Sequence, residues 1–415
     1  MSPALATLIA LCAILSEFIV STTVSILNLR ALGTAAPAEL ADVYDPERYA
    51  KAQLYARARA RFGMCARVCD LALLLAFWAL SGFELLDRAV RSLGVPSVPS
   101  ALLYIGALLA GRSLILFPFR IYDTFVLEQR FGFNRTTLGT FVSDTLKGIA
   151  LGVVLGAPVL AVVVWLFESA GQLAFLYAWI AATVLMLLLQ FVAPTWLMPL
   201  FIRFTPLPEG ELRERILAYA RSVSFPLANL FVVDGSRRST KANAFFTGFG
   251  RNRRIGLYDT LIERCSPDEL TAIVAHEVGH YKKRHVTNGM LLGILQLGLM
   301  LFVFGLLLQL PQLYAAFFVT QPSVYVGLAL CSLLYEPVSL ALSLLSLARS
   351  RRNEFEADRY AVETTGLSGA LVSGLKRLAG DSLSNLSPHP SYVFVHYTHP
   401  PLGERIRAIH TATPS

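Results

Sequence analysis

Charged side chains are scarce in this chain: Asp, Glu, Lys and Arg make up 15% of its 415 residues, against 55% hydrophobic. A soluble protein of this length needs more charge than that to cover its surface, so a wholly water-soluble fold is excluded and the bilayer becomes part of the solvent. Cysteine is scarce too. Cys12, Cys65, Cys69, Cys265 and Cys331 include no C-x-x-C pair, which argues against a disulfide framework and against a cysteine-built zinc site. No internal repeat and no low-complexity tract is present, which removes solenoids and disordered arrays from consideration.

Long apolar runs are abundant. They extend from Leu5 to Leu29, Val68 to Leu86, Ala101 to Phe119, Ile149 to Phe167, Leu173 to Phe201, Asn288 to Leu310 and Val324 to Leu347, and predict seven transmembrane helices. The first lacks a basic n-region, carries Glu17 in its middle and is longer than a signal-peptide core, so it reads as a span. Arg30, Arg48, Lys51, Arg57, Arg59, Arg61 and Arg67 crowd the first loop, and Arg120, Arg130, Arg135 and Lys147 flank the third. The second loop holds only Arg88 and Arg91, and the fourth and sixth hold no basic residue. Odd-numbered loops are therefore expected in the cytosol, with the N-terminus outside or lumenal. That division predicts spans one to five over 1–202, a cytosolic segment over 203–287, spans six and seven over 288–347, and a second cytosolic segment over 348–415. The membrane would be the cytoplasmic one in a bacterium and that of the endoplasmic reticulum in a eukaryote. The net charge of +8 suits loops beside anionic lipid better than nucleic acid, because the basic residues are spread over separate loops.

The most specific chemical signal is His276-Glu277-Val278-Gly279-His280. On a helix, H-E-x-x-H projects two imidazoles from consecutive turns toward one zinc ion and sets a glutamate beside the water at its open position. Ser266 as N-cap, Pro267 at the first position and Glu269 at the third predict a capping box that starts such a helix. The third ligand lies elsewhere. An H-E-x-x-H-x-x-G-x-x-H run would need Gly and His where Lys283 and Val286 stand, and His285, one place out of register among Lys282, Lys283 and Arg284, reads as part of a basic helix end. Beyond the last span, Glu354 and Asp358 are four apart and share a helix face, with Glu356 pointing elsewhere. From spacing alone they are either a ligand with its supporting carboxylate or a solvated acidic face paired with Arg351, Arg352 and Arg359.

H-E-V-G-H followed after two spans by N-E-F-E-A-D resembles the gluzincin-type membrane proteases. More specifically the chain resembles the type I CAAX prenyl protease family, seven-span enzymes that include the a-factor-converting type. Motifs without zinc ligands carry the likeness from about residue 45 to the end: Glu128-Gln129-Arg130-Phe131-Gly132-Phe133-Asn134, Phe204 to Leu212, Asn243-Ala244-Phe245-Phe246 and His396 to Leu402. The resemblance implies one zinc per chain held by His276, His280 and Glu354, with Asp358 supporting a ligand histidine, and it places Asn243, His399 and Arg405 in the substrate cleft. Leu230 to Val233, Ala244 to Thr247 and Arg254 to Leu257 read as short strands joined by Gly-containing turns, whose exposed edge would hold an extended peptide by strand addition.

The expected architecture is a mainly α-helical polytopic membrane protein whose seven helices enclose a chamber, with a cytosolic zincin-like α+β metalloprotease domain. Glu17, Asp70, Glu84, Arg112 and Glu336 fall within apolar runs, and charges there face a bundle interior or hydrated cavity. The expected activity is zinc-dependent endopeptidase action near the C-terminus of prenylated CAAX substrates. Glu277 would serve as general base, and His399 or Arg405 would steady the oxyanion, a role worth about 3–4 kcal/mol. The expected partners are a peptide or lipidated protein and membrane lipid, with the chain a monomer. A quality-control protease of the heat-shock type has fewer spans and lacks the 128–134 motif, and a silent scaffold does not require Glu277 and a full ligand set.

Overall fold

The computed structural model describes residues 2–33, 36–227, 229–247 and 254–412. The membrane part begins with α1 (Pro3–Arg30), capped by Ser2, and α2 (Pro46–Ala79), capped by Asp45 through a 2.7 Å bond from Arg48 N. There follow α3 (Gly82–Arg91), α4 (Ser97–Tyr122), α5 (Leu138–Ser169) and α6 (Ala174–Val192). The zinc segment contains β1 (Phe204–Pro206), α7 (Glu211–Ser222), β2 (Asn229–Val233), β3 (Ala244–Thr247), β4 (Arg254–Tyr258) and α8 (Pro267–Lys282). The chain returns to the membrane in α9 (His285–Leu307), α10 (Pro311–Ala316), α11 (Val324–Leu334) and α12 (Glu336–Thr365), and ends with α13 (Ser368–Asp381), α14 (Pro390–His396) and α15 (Leu402–Ala412). Six helices among the described residues are long and apolar enough to cross a membrane, or seven when the bent pair α11 and α12 counts as one span.

Three expectations about the spans are corrected. The basic residues from Arg48 to Arg67 lie on the first turns of α2, not in a loop, because nothing in that stretch breaks a helix and long basic side chains favour one. The second span ends at Ala79: Ser81 adopts a left-handed conformation at φ 55°, and Phe83 to Leu86 belong to the separate helix α3. Glu84 therefore lies outside the hydrocarbon part, buried as a structural acceptor of 2.8 Å from Thr320 N and 2.6 Å from Arg88 Nε and Thr320 Oγ1. The seventh span bends by 52° at Tyr335, just before Pro337 in the first turn of α12.

Each spanning helix packs on its neighbours in a ring: α1 on α2, α2 on α4, α4 on α5, α5 on α6, α6 on α9, and α12 on α1. A bond from Gln296 Nε2 to Ser346 Oγ (3.1 Å) links α9 to α12. Buried apolar clusters close the two ends of this ring. At one end Trp78, Tyr104, Val164, Phe304, Phe317 and Tyr325 pack around α10 and α11, and at the other the zinc segment has its own core with Ile216, Leu257, Leu261 and Leu270 fully buried. Between the ends, stretches 56–77, 105–126, 141–163, 179–193, 286–300 and 336–353 contain no buried residue. A filled bundle buries one face of every helix along its whole length. Six helices with neither face buried over several turns enclose a hollow. Its wall carries the expected polar groups, with Arg112 of α4 in a two-point ion pair with Asp70 of α2 at 2.7 and 2.8 Å and Ser21 donating to Glu17 at 2.6 Å.

The sheet has the order β1-β2-β4-β3, with β2 parallel to β4 and both outer pairs antiparallel. The strands expected around residues 230, 244 and 254 are present and β3 is an edge. The Gly-containing turn between β3 and β4 lies outside the described residues. Strand β1, only three residues long and ending in Pro206, gave no periodic signal. Replacing Glu84 by Ala removes the buried carboxylate that accepts from Thr320 N, Thr320 Oγ1 and Arg88 Nε, and is expected to cost about 1–3 kcal/mol, read as a lowered thermal-unfolding midpoint of the purified protein.

Candidate active site

Helix α8 starts as its sequence dictates, with Glu269 N donating to Ser266 Oγ at 3.2 Å and Ser266 N to Glu269 Oε2 at 2.8 Å. Residues Glu269 to His276 are all buried, so the helix runs through the core of the zinc segment and packs chiefly on α12. Gly279 decides how closely. A Cβ there would lie 3.1 Å from the Cα and the carbonyl oxygen of Ala357, tighter than ordinary contact. With hydrogen in its place α12 presses against α8, and Glu354, one turn before Ala357, comes over the two histidines.

The Nε2 atoms of His276 and His280 are 3.1 Å apart, and Glu354 places Oε2 at 3.4 Å from the first and Oε1 at 3.3 Å from the second. Tetrahedral zinc with bonds near 2.0–2.1 Å holds its ligand atoms about 3.3 Å apart. Both Nδ1 atoms are engaged elsewhere: His276 Nδ1 lies 2.8 Å from Asp358 Oδ1, and His280 Nδ1 lies 3.0 Å from His285 Nδ1. With Nδ1 protonated in each ring, the two Nε2 lone pairs face each other, and Glu354 Oε2 is buried without a hydrogen bond. Only a cation satisfies three such acceptors, so the residues present fit zinc. His276 points the same way. Burial lowers its proton affinity, but the hydrogen bond to Asp358 and the Glu354 carboxylate close by outweigh burial and carry it up to about 9, the mark of a pocket that favours positive charge.

Asp358 is in turn held by Arg405 of α15, whose Nε and Nη2 donate at 2.8 and 2.7 Å; these bonds and His276 keep its carboxyl below the usual range despite burial. This refines the reading of Arg405. It is buried with two nitrogens committed to Asp358, and only Nη1 turns toward Glu354 Oε2, at 3.5 Å. His399 is open, its side chain 60% exposed with Nε2 3.3 Å from Glu354 Oε1. Glu277 has no hydrogen bond or ion pair with another described residue; burial raises its carboxyl above the usual range. Asn243 stands exposed immediately before β3, its carbonyl accepting from Tyr258 N at 3.0 Å.

His285 corrects the sequence reading. It is buried at the start of α9 and links His280 Nδ1 to Glu356 Oε2, 3.2 Å from its own Nε2. Arg284 adopts a left-handed conformation at φ 58°, turning the chain so that His285 points back at α8, which residue spacing does not reveal. The motif over 128–134 is not at the metal. It clamps the approach to β3: Lys241 Nζ donates to Glu128 Oε2 and Tyr55 OH, both at 2.9 Å, and lies 4.3 Å from the Phe133 ring centre, while Thr240 N donates to Phe133 O. Asn243, two residues on, is set by that clamp.

A ring of membrane helices around a hollow, closed at one end by two histidines and a glutamate whose geometry fits zinc, with an unpartnered glutamate beside them, defines an integral-membrane zinc metalloprotease. Residues 25–203 match the model of the CAAX prenyl protease N-terminal region with five membrane helices, and residues 206–413 match peptidase family M48. The chain is 36% identical over 391 residues to the CAAX prenyl protease 1 homolog of Arabidopsis thaliana, covering 90% of each, and 33% identical to CAAX prenyl protease 1 of Saccharomyces cerevisiae, covering 91% of this chain and 88% of that one. The crystal structure of S. mikatae Ste24p superposes with a TM-score of 0.91 at 31% identity, over 97% of this chain and 99% of that chain. The chain belongs to the CAAX prenyl protease group of peptidase family M48. Asp358→Ala, which removes the acceptor that orients His276, is expected to weaken zinc binding about 10- to 100-fold, measured by competition with a chromophoric chelator.

Proposed function

We propose that this chain hydrolyses peptide bonds near the C-terminus of prenylated CAAX-type substrates, and that its zinc ligands are His276, His280 and Glu354. The observation that carries the reading is the convergence of these three at the closed end of the hollow, with Glu277 unpartnered beside them. The names of the relatives support the substrate class. Zinc, when bound, supplies the Lewis acidity that makes water nucleophilic near neutral pH and polarises a carbonyl. Glu277 then takes the proton from the attacking water and delivers it to the leaving amine. His399, exposed with its Nε2 near Glu354, is the donor placed to meet the developing oxyanion. Arg405 acts through Asp358 by fixing the tautomer and tilt of His276, with Nη1 left toward the substrate side. Asn243 and the edge of β3 hold the peptide as an added strand.

The excess of Lys and Arg in the odd-numbered connections supports a cytosolic zinc segment, and a single chain carries a complete ligand set, which supports a monomer. Residues 203–287 and 348–415 form one protease unit, fed by the spans of 1–202 and 288–347. Mass spectrometry of the purified protein with a farnesylated CAAX peptide, its unprenylated twin and an unfolded membrane protein tests the substrate. Release of the last three residues from the farnesylated peptide is expected, and cleavage confined to the unfolded protein would overturn the reading in favour of quality control. Glu277→Gln is expected to lower kcat by about 10²- to 10⁴-fold with one zinc per chain retained by elemental analysis. Lys241→Met releases the clamp on Asn243 and is expected to raise KM about tenfold, the scale of one charge-assisted hydrogen bond, with zinc content unchanged.

A further inference from the structure

A cavity of about 490 Å³ lies where the first turns of α5 meet the segment after α6 and the β1–β2 side of the sheet. It is separate from the zinc ligands, none of which lines it. Lys147, Arg203, Arg237, Arg238 and Arg254 surround it, with Asp144 as the one carboxylate. Asp144 is used by Arg238, which donates from Nε at 2.8 Å and from Nη2 at 3.1 Å. Among the described residues the other four cations make no ion pair. Lys147 Nζ donates to the Leu200 carbonyl at 2.8 Å, the Arg254 guanidinium lies 5.7 Å from the Phe231 ring centre, and Arg238 Nη1 is buried with no hydrogen-bond partner.

Four unpaired cations around one cavity repel one another, and an orphaned buried N–H adds to that cost, unless an anion with several acceptor oxygens sits among them. The position within the fold narrows the choice. Lys147 is the last charged residue before the apolar run of α5, and Leu200 lies at the end of the apolar run from Leu173 to Phe201, so the cavity stands at headgroup depth on the zinc-segment side of the membrane. Guanidinium forks match phosphate oxygens in two-point contacts, and a basic pocket between helix ends at this depth has the form of a lipid-headgroup site.

We propose that this cavity is a binding site for an anionic phosphate group, such as the phosphodiester of an acidic phospholipid, which ties the sheet of the zinc segment to the membrane ends of α5 and α6. Arg203, Arg237 and Arg254 supply its charge and Arg238 Nη1 its inward donor.

The test uses the full-length zinc-loaded protein, stripped of lipid and placed in phosphatidylcholine nanodiscs, alone or with about one fifth phosphatidylglycerol. A parallel arm adds inorganic phosphate to the neutral discs. Retained lipid is read by native mass spectrometry and the unfolding midpoint by thermal shift. Wild type is expected to retain phosphatidylglycerol and unfold later. The double variant Arg203→Gln, Arg254→Gln is expected to retain it about 30-fold less, and Arg237→Gln, which alters one exposed side chain, about fivefold less, from roughly a factor of five per charge at a membrane surface. Peptide cleavage in neutral micelles and zinc content identify folded variants. Stabilisation by phosphatidylglycerol or by phosphate supports the site, and the arm that responds identifies the source. No response of the wild type in either arm, or equal responses from wild type and both variants, overturns it.

Discussion

The zinc centre depends on how near α12 can come to α8. His276 and His280 come ready-made from one helix, but Glu354 and Asp358 arrive from a segment more than seventy residues later in the chain and need a backbone-to-backbone contact to reach them. Gly279 provides it, by leaving Ala357 with no Cβ to meet. Because α12 is one continuous helix from Glu336 to Thr365, the same contact also fixes the wall of the hollow to the metal site. A shift of α12 would move wall and ligand together.

Around that contact each histidine is held from behind by an unbroken line of hydrogen bonds, Arg405 to Asp358 to His276 on one side and Glu356 to His285 to His280 on the other. Such lines set tautomers, and they leave both Nε2 atoms as acceptors for the metal. The groups assigned to chemistry are the least engaged. Glu277 is unpartnered and His399 is mostly exposed, while Asp358, Arg405 and His285, which position the two histidines, are buried, the division expected when a rigid frame presents a few reactive side chains.

The hollow follows from where packing is absent. Apolar cores seal both ends of the ring, and six helices have no buried residue between them. The β3 edge, held through Lys241 by the 128–134 motif, packs beside α8 at one end. The cleft is thus assembled from three parts of the chain distant in sequence, and the bilayer holds the spans that keep them in register.

Much of this was legible in the residues because it rests on local rules. Hydropathy runs mark spans, Ser266 and Glu269 mark a helix start, H-E-x-x-H marks a ligand pair, and short runs between Gly-containing turns mark β2 to β4, each a property of a few consecutive side chains. The features that spacing did not reveal are of two kinds. The end of α2 at Ala79, the bend at Tyr335 and the inward turn of His285 rest on backbone conformation, and the attachment of Arg405 to Asp358 rests on a contact between two separate helices. The sequence by itself determined the membrane class, the metal chemistry and the ligand candidates, because composition and helical period suffice for these. Tertiary structure alone decided that Glu354 is buried against the two histidines and not part of a solvated acidic face, since that depends on the distance between two helices, which a hydrogen atom at Gly279 sets.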